Sequence, residues 1–422
     1  MIQPLDWMSA REAAEALDVK PATLYAYVSR GMLHSEPSPT GRAKRYRRED
    51  VERLVARKGS RTGAAAAIHG ALHWGAPLIE TGVSTIDARG PIYRGRAAVQ
   101  LAATDTSFES VARWLWTGAE TPADEEPFLA ETDLAVLSSA LRAALPRSAP
   151  SIDVLSTAVP LLAARAREQL AGTDDSRIAA AGRLVRELAA VHGSVSSPER
   201  VLHATAAPTV ASSFAAAIGR IDPPSVTAVN RALVLSADHE LNASTFAARV
   251  AASTGADLHA SVGAALATLS GPLHGGACDR IAALVDEAGA PERAVAMLSA
   301  RRRRGDPVPG FEHRLYPNGD PRTPILLASA EELAPDDRRV RTVFALTQAV
   351  DRSGAGHATF DTGLVALAAA LEQDDDAPTP GGLALALFAV GRTAGWIAHA
   401  LEQTRDGRLI RPRARYVPGS GQ

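Results

Sequence analysis

The chain has 422 residues, long enough for two or three domains, and its formal net charge of −2 removes any global drive toward nucleic acid or acidic membranes. The charge is uneven: residues 1–62 carry 12 Lys/Arg against 8 Asp/Glu and the remainder 33 against 39, so the N-terminal segment is the basic one. A single cysteine, Cys278, excludes an internal disulfide framework, and the opening residues lack the basic and apolar regions of a signal peptide, which together give a cytoplasmic expectation.

Ser9 and Glu12 have the spacing of a capping box, which predicts a helix through Leu17. Asp18-Val19-Lys20-Pro21 supplies a turn, and a second short helix follows from about Ala22 to Ser29, with Leu24 and Val28 facing inward and Gly31 closing it. A basic ribbon, Gly41-Arg42-Ala43-Lys44-Arg45-Tyr46-Arg47-Arg48, precedes a further helix from about Glu49. The run Ser-Ala-Arg-Glu-Ala-Ala-Glu-Ala-Leu-Asp-Val-Lys-Pro-Ala-Thr-Leu-Tyr-Ala-Tyr-Val resembles the winged helix-turn-helix of mercury-resistance-type regulators and excisionases. The resemblance implies a second helix in the DNA major groove and a wing on the phosphates. Thr23, Tyr25, Tyr27 and Arg30 would then face DNA, with Arg42, Lys44, Arg45 and Arg47 on the backbone. A retained module for protein contact or oligomer packing is the other reading of the same residues.

Lys58 to Gly63 reads as a linker, and alanine-rich helical sequence dominates beyond it. Leu78 to Arg94 is the exception, with the alternation of a short β-hairpin. Leu258, Val262, Ala265, Leu266 and Leu269 make one apolar helical face, which Gly271-Pro272 ends. His274 follows at once, Gly275-Gly276 permit a sharp turn and a close approach, and a new amphipathic helix begins near Asp279. Gly271 and Gly276 have P-loop spacing, but Ala277-Cys278 stand where Lys-Ser/Thr is required. His239-Glu240 opens like a zinc-protease helix, but Ala243 occupies the second ligand's position, so no metal site is expected. Residues 372–380 form a polar, proline-broken loop. Residues 381–401 are apolar and long enough to span a bilayer, yet Arg392 near the centre would cost roughly 2.5–3.5 kcal/mol there. A helix buried in protein is expected, with an anionic partner for its arginine.

The second half gathers histidines and arginines. His239 opens a helix in Asp-His-Glu-Leu-Asn-Ala-Ser-Thr, and His313 and Arg322 fall in a stretch rich in Gly and Pro. Arg392 lies in the apolar helix and Arg411 in the terminal Ile-Arg-Pro-Arg. Arginine binds carboxylates through two parallel hydrogen bonds, so the set points to a small polyanionic substrate.

Asp-His-Glu-Leu-Asn-Ala-Ser-Thr-Phe-Ala-Ala-Arg-Val, Gly-Pro-Leu-His-Gly-Gly-Ala, Gly-Phe-Glu-His-Arg-Leu-Tyr and Asp-Pro-Arg, in this order, resemble citrate synthase, as do Glu80-Thr-Gly-Val-Ser-Thr-Ile-Asp, Tyr93-Arg-Gly and Trp114-Leu-Trp-Thr-Gly. The similarity covers roughly residues 72–422. It implies an all-α, two-domain helical fold behind the small N-terminal domain. The winged module would be 1–62, the large domain 63–275 completed by 381–422, and the small domain 276–380. It also implies condensation of acetyl-CoA with oxaloacetate and water to citrate and CoA, with acetyl-CoA as substrate, no cofactor and no membrane. Asp361 would take the methyl proton, His274 would donate to the thioester oxygen, and His313 would polarise the ketone. His239, Arg322, Arg392 and Arg411 would hold oxaloacetate, Arg411 across a homodimer interface. Pro309, Gly310, Phe311 and Arg314 would meet CoA.

Three departures from the family pattern stand out. His357-Ala-Thr-Phe-Asp361-Thr-Gly replaces the usual Asn-Val-Asp context; alignment on Gly363 would put Thr359 at the base's place, and Asp361 is preferred as the carboxylate. Glu312 replaces a glycine before His313, and Cys278 stands beside the active loop as a packed thiol. Two rivals remain. Propionyl-CoA in place of acetyl-CoA would make the chain a 2-methylcitrate synthase, a difference of one methylene. A DNA-binding regulator could instead use the same scaffold as a metabolite sensor.

Overall fold

The computed structural model describes residues 7–17, 19–29, 32–37, 44–48, 50–51, 54, 79–119, 128, 130, 133–166, 174–372 and 381–412. Arg30, Gly31, Arg42, the linker at 58–63 and most of the 372–380 loop lie outside them. The chain divides into two compact units, Met1–Glu80 and Thr81–Gln422.

In the first unit, Ser9 and Glu12 close a reciprocal cap: Ser9 N donates to Glu12 Oε2 at 2.7 Å and Glu12 N to Ser9 Oγ at 3.3 Å. That cap starts α1 (Ala10–Leu17). The second helix, α2 (Pro21–Ser29), begins at the proline, whose missing N–H is harmless in a first turn. Strands β1 (Trp7–Ser9), β2 (Ser35–Pro37) and β3 (Lys44–Arg47) form an antiparallel sheet in the order β1-β3-β2, so the basic ribbon is the central strand. Tyr46 of β3 is buried with Met8, Ala13, Leu17, Leu24 and Val51.

The second unit opens with an antiparallel meander, β4 (Ser84–Asp87), β5 (Gly90–Tyr93) and β6 (Arg96–Ala97), where the hairpin was expected. Helices follow: α3 (Ala98–Ala103), α4 (Phe108–Thr117), α5 (Leu134–Ala144), α6 (Ser151–Ala166), α7 (Asp174–Val191), α8 (Val201–Ala206), α9 (Val210–Ala217) and α10 (Pro223–Ser236). Then come α11 (Ala243–Ser253), α12 (Leu258–Leu269), α13 (Ala277–Ala288), α14 (Ala294–Arg304), α15 (Thr323–Leu333), α16 (Arg338–Arg352), α17 (Phe360–Leu371) and α18 (Gly381–Asp406). The α13 helix starts two residues before Asp279, directly after the Gly275-Gly276 turn. His239 sits not at a helix start but in the turn between α10 and α11, where Asn242 caps α11 through Thr245 N.

The organising element is α18. Among the described residues it is the one helix long and apolar enough to cross a membrane, and its apolar window is entirely buried inside the protein. It packs against α4, α6, α7, α10, α11, α12, α13 and α17. Two glycines allow this. A Cβ at Gly391 would lie 2.7 Å from Ser236 Cβ and 2.8 Å from Leu233 O, so α18 and the end of α10 touch through backbone. At Gly395 a Cβ would collide with Asp238 Oδ1 and Ala237 O, and Gly395 N instead donates to Ala237 O at 2.9 Å. The close approach brings one face of α18 against the His239 turn.

Candidate active site

Five segments converge at one place: the α10–α11 turn, the loop before α13, the 309–322 loop, the first turn of α17, and α18. His239 Nε2 and Tyr316 Oη are 2.9 Å apart, and the His239 and His313 rings meet edge-on with centroids 6.0 Å apart. His313 stacks on Tyr316 at 5.1 Å. Leu315 N donates to His313 Nδ1 at 3.2 Å, which puts the neutral ring's proton on Nε2. His274 Nε2 and Ser244 Oγ are 2.8 Å apart, and Ser244 Oγ accepts from Trp396 Nε1 at 3.1 Å. The His274 ring meets Phe388 edge-on at 6.1 Å, and Phe388 lies 6.2 Å from Phe360, the neighbour of Asp361.

Two of the three expected arginines are buried at the same place. Arg322 is clamped by Asp320, with Nε to Oδ1 at 3.0 Å and the second terminal nitrogen to Oδ2 at 2.7 Å, and lies 3.9 Å over the Phe360 ring. Arg392 is 1% exposed, donates from Nε to Ser236 O at 2.7 Å and sits over Phe388 at 4.6 Å. Its Nη1 has no hydrogen-bond partner. The anionic partner expected for Arg392 is therefore not an ion pair but the field of the Asp238 carboxylate. A buried guanidinium nitrogen left open is costly unless something fills it.

The electrostatics follow from burial beside these cations. His274 is pushed down to about 4 by burial, with Arg392 adding to the effect. His239 is held well below its ordinary value by burial, then by Arg322 and Arg392. His313 is also lowered by burial. All three imidazoles are thus neutral hydrogen-bonding groups at neutral pH. Burial raises Asp361 above the ordinary aspartate range, although Arg322 and His313 oppose that shift. Cys278 Sγ lies 3.6 Å from Asp361 Oδ1. Thr359, the alternative to Asp361, is the N-cap of α17 and bonds through its N–H to Gly310 O at 2.8 Å.

Other expected residues stand apart. Of the four residues expected to meet CoA, Phe311 is buried in the core and its carbonyl accepts from His357 N at 2.9 Å, Pro309 and Gly310 are half-buried, and Arg314 is exposed. Arg411 is exposed in the single chain. In the first unit Tyr25 and Lys44 are exposed, with the Lys44 ammonium 5.5 Å over the Tyr25 ring. Thr23, Tyr27 and Arg47 are half-buried, and Arg45 is ion-paired to Glu36. Ser244, Trp396, Tyr316, Asp320 and Asp238 were not singled out from sequence. Asp238, Ser244, Tyr316 and Asp320 all fall inside the quoted motifs, but the partners of Asp238, Ser244 and Tyr316 come from other segments. Tyr93, also inside a motif, donates toward Val234 O in the last turn of α10 and Asp238 O just beyond it, and accepts from Asp238 N at 3.1 Å.

Residues 62–413 match the family model for the citrate synthase C-terminal domain, and residues 7–59 match a helix-turn-helix domain. A citrate synthase of Mycolicibacterium smegmatis is 32% identical over 78% of this chain and 88% of its own length. A putative citrate synthase 2 of Mycobacterium tuberculosis is 41% identical over 48% of this chain, so that match spans about half (54%) of the relative's length. A 2-methylcitrate synthase of Mycobacterium tuberculosis is 31% identical over 77% of this chain and 84% of its own. Among solved structures, the complex of Thermoplasma acidophilum citrate synthase with carboxymethyl coenzyme A and oxaloacetate is similar at a TM-score of 0.68 and 28% identity. That likeness covers 82% of this chain and 95% of the other.

Proposed function

Because the chain belongs to the citrate synthase family, we propose that its larger unit condenses acetyl-CoA with oxaloacetate and water to give citrate and free CoA. The observation that carries this reading is the unpartnered Nη1 of the buried Arg392, set in one cluster with Arg322, three neutral imidazoles and a carboxylate of raised proton affinity. Such a place suits a dicarboxylate with a carbonyl to be polarised.

In this reading Arg322, Arg392 and His239 hold the oxaloacetate carboxylates, and Arg411 serves the site of the second copy in a homodimer. Asp361 removes a proton from the acyl methyl. As it does so, His274 donates a hydrogen bond to the thioester oxygen, its ring held at Nε2 by Ser244 Oγ, whose own proton goes to Asn242 Oδ1. The imidazole pushed down to about 4 is neutral throughout, so it acts as a hydrogen-bond donor rather than a cation. The enol carbon attacks the ketone carbon of oxaloacetate, and the Nε2 proton of His313 goes to the ketone oxygen as the carbon–carbon bond forms. Water then cleaves the thioester, releasing CoA. A small domain spanning 276–380 closes over both reactants and excludes bulk water from the first steps.

Release of CoA thiol from acetyl-CoA and oxaloacetate tests the reading. Asp361→Ala is expected to lower kcat by about a thousandfold or more, and unchanged release would refute the base assignment. Relatives of both names share nearly the same identity with this chain, so propionyl-CoA is the second reading. One methylene is worth about 1–3 kcal/mol, and the ratio of kcat/KM for the two acyl-CoAs decides. For the first unit we propose DNA binding through α2 and the β2–β3 ribbon, supported by the helix-turn-helix match and the exposed Tyr25 and Lys44. A gel shift that weakens steeply with salt is the expected signature.

A further inference from the structure

Cys278 is the single cysteine of the chain and has no part in the reaction as drawn. It lies in the first turn of α13, four residues after His274, and is fully buried. Its Sγ is 3.6 Å from Asp361 Oδ1 in hydrogen-bonding geometry. Among the described residues it is the one side chain hydrogen-bonded to that carboxylate. The other charged or titratable groups that face Asp361 act through space: Arg322, His313 and Asp320 from the 313–322 stretch, and Arg392 from α18. Burial and the Asp361 carboxylate both push the thiol's ionisation well up, so the sulfur keeps its hydrogen and is the donor.

We propose that Cys278 is a positioning residue for the base: its S–H holds Oδ1, fixes the rotation of the carboxylate, and leaves Oδ2 to take the acyl proton. This rests on the condensing reading of the site. A thiol suits the task for a physical reason. A carboxylate with no donor would sample several rotations, and a hydroxyl or amide donor would stabilise its charge more strongly and weaken it as a base. The S–H is a weak donor, so it orients the group with little loss of proton affinity. Because the thiol stays protonated and enclosed, it is neither a nucleophile nor an oxidation site.

The S–H stretching band lies in an infrared window free of other protein bands, and here it reports one residue. In the wild type it is expected to shift as pH falls through the ionisation of Asp361, and to be insensitive to pH in Asp361→Asn. Removing a donor from the charged form raises the carboxyl's pKa, so Cys278→Ala moves the acidic limb of kcat/KM to higher pH. The same variant loses about threefold to tenfold in kcat with the KM for oxaloacetate unchanged. Cys278→Ser, a stronger donor, recovers part of kcat and moves the limb to lower pH. An S–H band in the wild type that ignores pH, or a limb unmoved in both variants, overturns the proposal. If the alanine variant does not fold, the serine variant and the spectrum decide. The parent reading fails on a different result: full turnover by Asp361→Ala sinks the base assignment even when the band titrates.

Discussion

Asp361 and Arg392 are buried charges that the fold holds at a cost, and each should show it. Burial raises Asp361's pKa above its unfolded value, so its contribution to stability is greatest at low pH and is lost as pH rises through the folded pKa. At neutral pH the ionised group therefore destabilises the protein, and Asp361→Asn should raise Tm while abolishing turnover; a fall in Tm would contradict this. The same shift puts the acidic limb of kcat/KM above the ordinary aspartate range, since the base must be ionised. His274, at about 4, should leave that limb alone. Arg392 has an empty Nη1 at 1% exposure. Arg392→Met is expected to raise the oxaloacetate KM by about 100-fold without lowering Tm, because a well-packed apolar group replaces an incompletely satisfied cation. A calorimetric scan with and without oxaloacetate separates the two effects. The residues named from sequence were those whose chemistry is visible in isolation: a carboxylate, imidazoles and arginines. Ser244 and Tyr316 were passed over because their task is to orient other groups, and that depends on partners far along the chain: Ser244 meets His274 thirty residues on and Trp396 far beyond it.

At the scale of elements, the site is built by the approach of α18 to the end of α10. Gly395→Ala puts a methyl group against Asp238 Oδ1 and Ala237 O, which neither backbone nor buried carboxylate can yield easily. A loss of about 2–3 kcal/mol or more in urea unfolding is expected, with a higher KM for oxaloacetate because the displaced turn carries His239. An alanine variant with wild-type midpoint and KM would mean that α18 does not set the turn. Helix boundaries were legible where capping and breaking residues are strong, at Ser9, Pro21 and Gly271-Pro272. They drifted where the signal was tertiary. His239 reads as the start of a helix, yet Glu240 takes φ 56 and Asn242, three residues before Thr245, is the cap. The burial of 381–401 was foreseen from Arg392 alone, but not that its arginine would be left with an open nitrogen.

For the molecule as a whole, neutral buried histidines set the acid limit. His192 is pushed down to about 4 by burial and stacks on Phe214 at 3.9 Å, and His239, His259, His274 and His313 are lowered too. Each folded pKa lies below the unfolded one, so the unfolded chain binds more protons below about pH 6.5, and stability falls from there toward pH 4. His192 alone should account for about 2 kcal/mol of loss by pH 5. His192→Gln should flatten the pH dependence of the urea midpoint over this window, and an unchanged slope would contradict the assignment. The two units also make separable predictions. A chain lacking residues 1–62 is expected to keep the kcat of condensation within about twofold and to lose salt-sensitive DNA retention in a gel shift. Loss of both would tie the basic module to assembly instead. The central position of α18 bears on how the protein is made. Most of the helices that enclose α18 leave the ribosome before it is made. At roughly 5–20 residues per second, the grooves along α10 wait about ten to forty seconds for their occupant. During synthesis the nascent chain is a shell around a missing axle, an open apolar trough that invites chaperones or neighbouring nascent chains, and a message broken upstream of codon 381 would yield aggregate rather than a shortened enzyme.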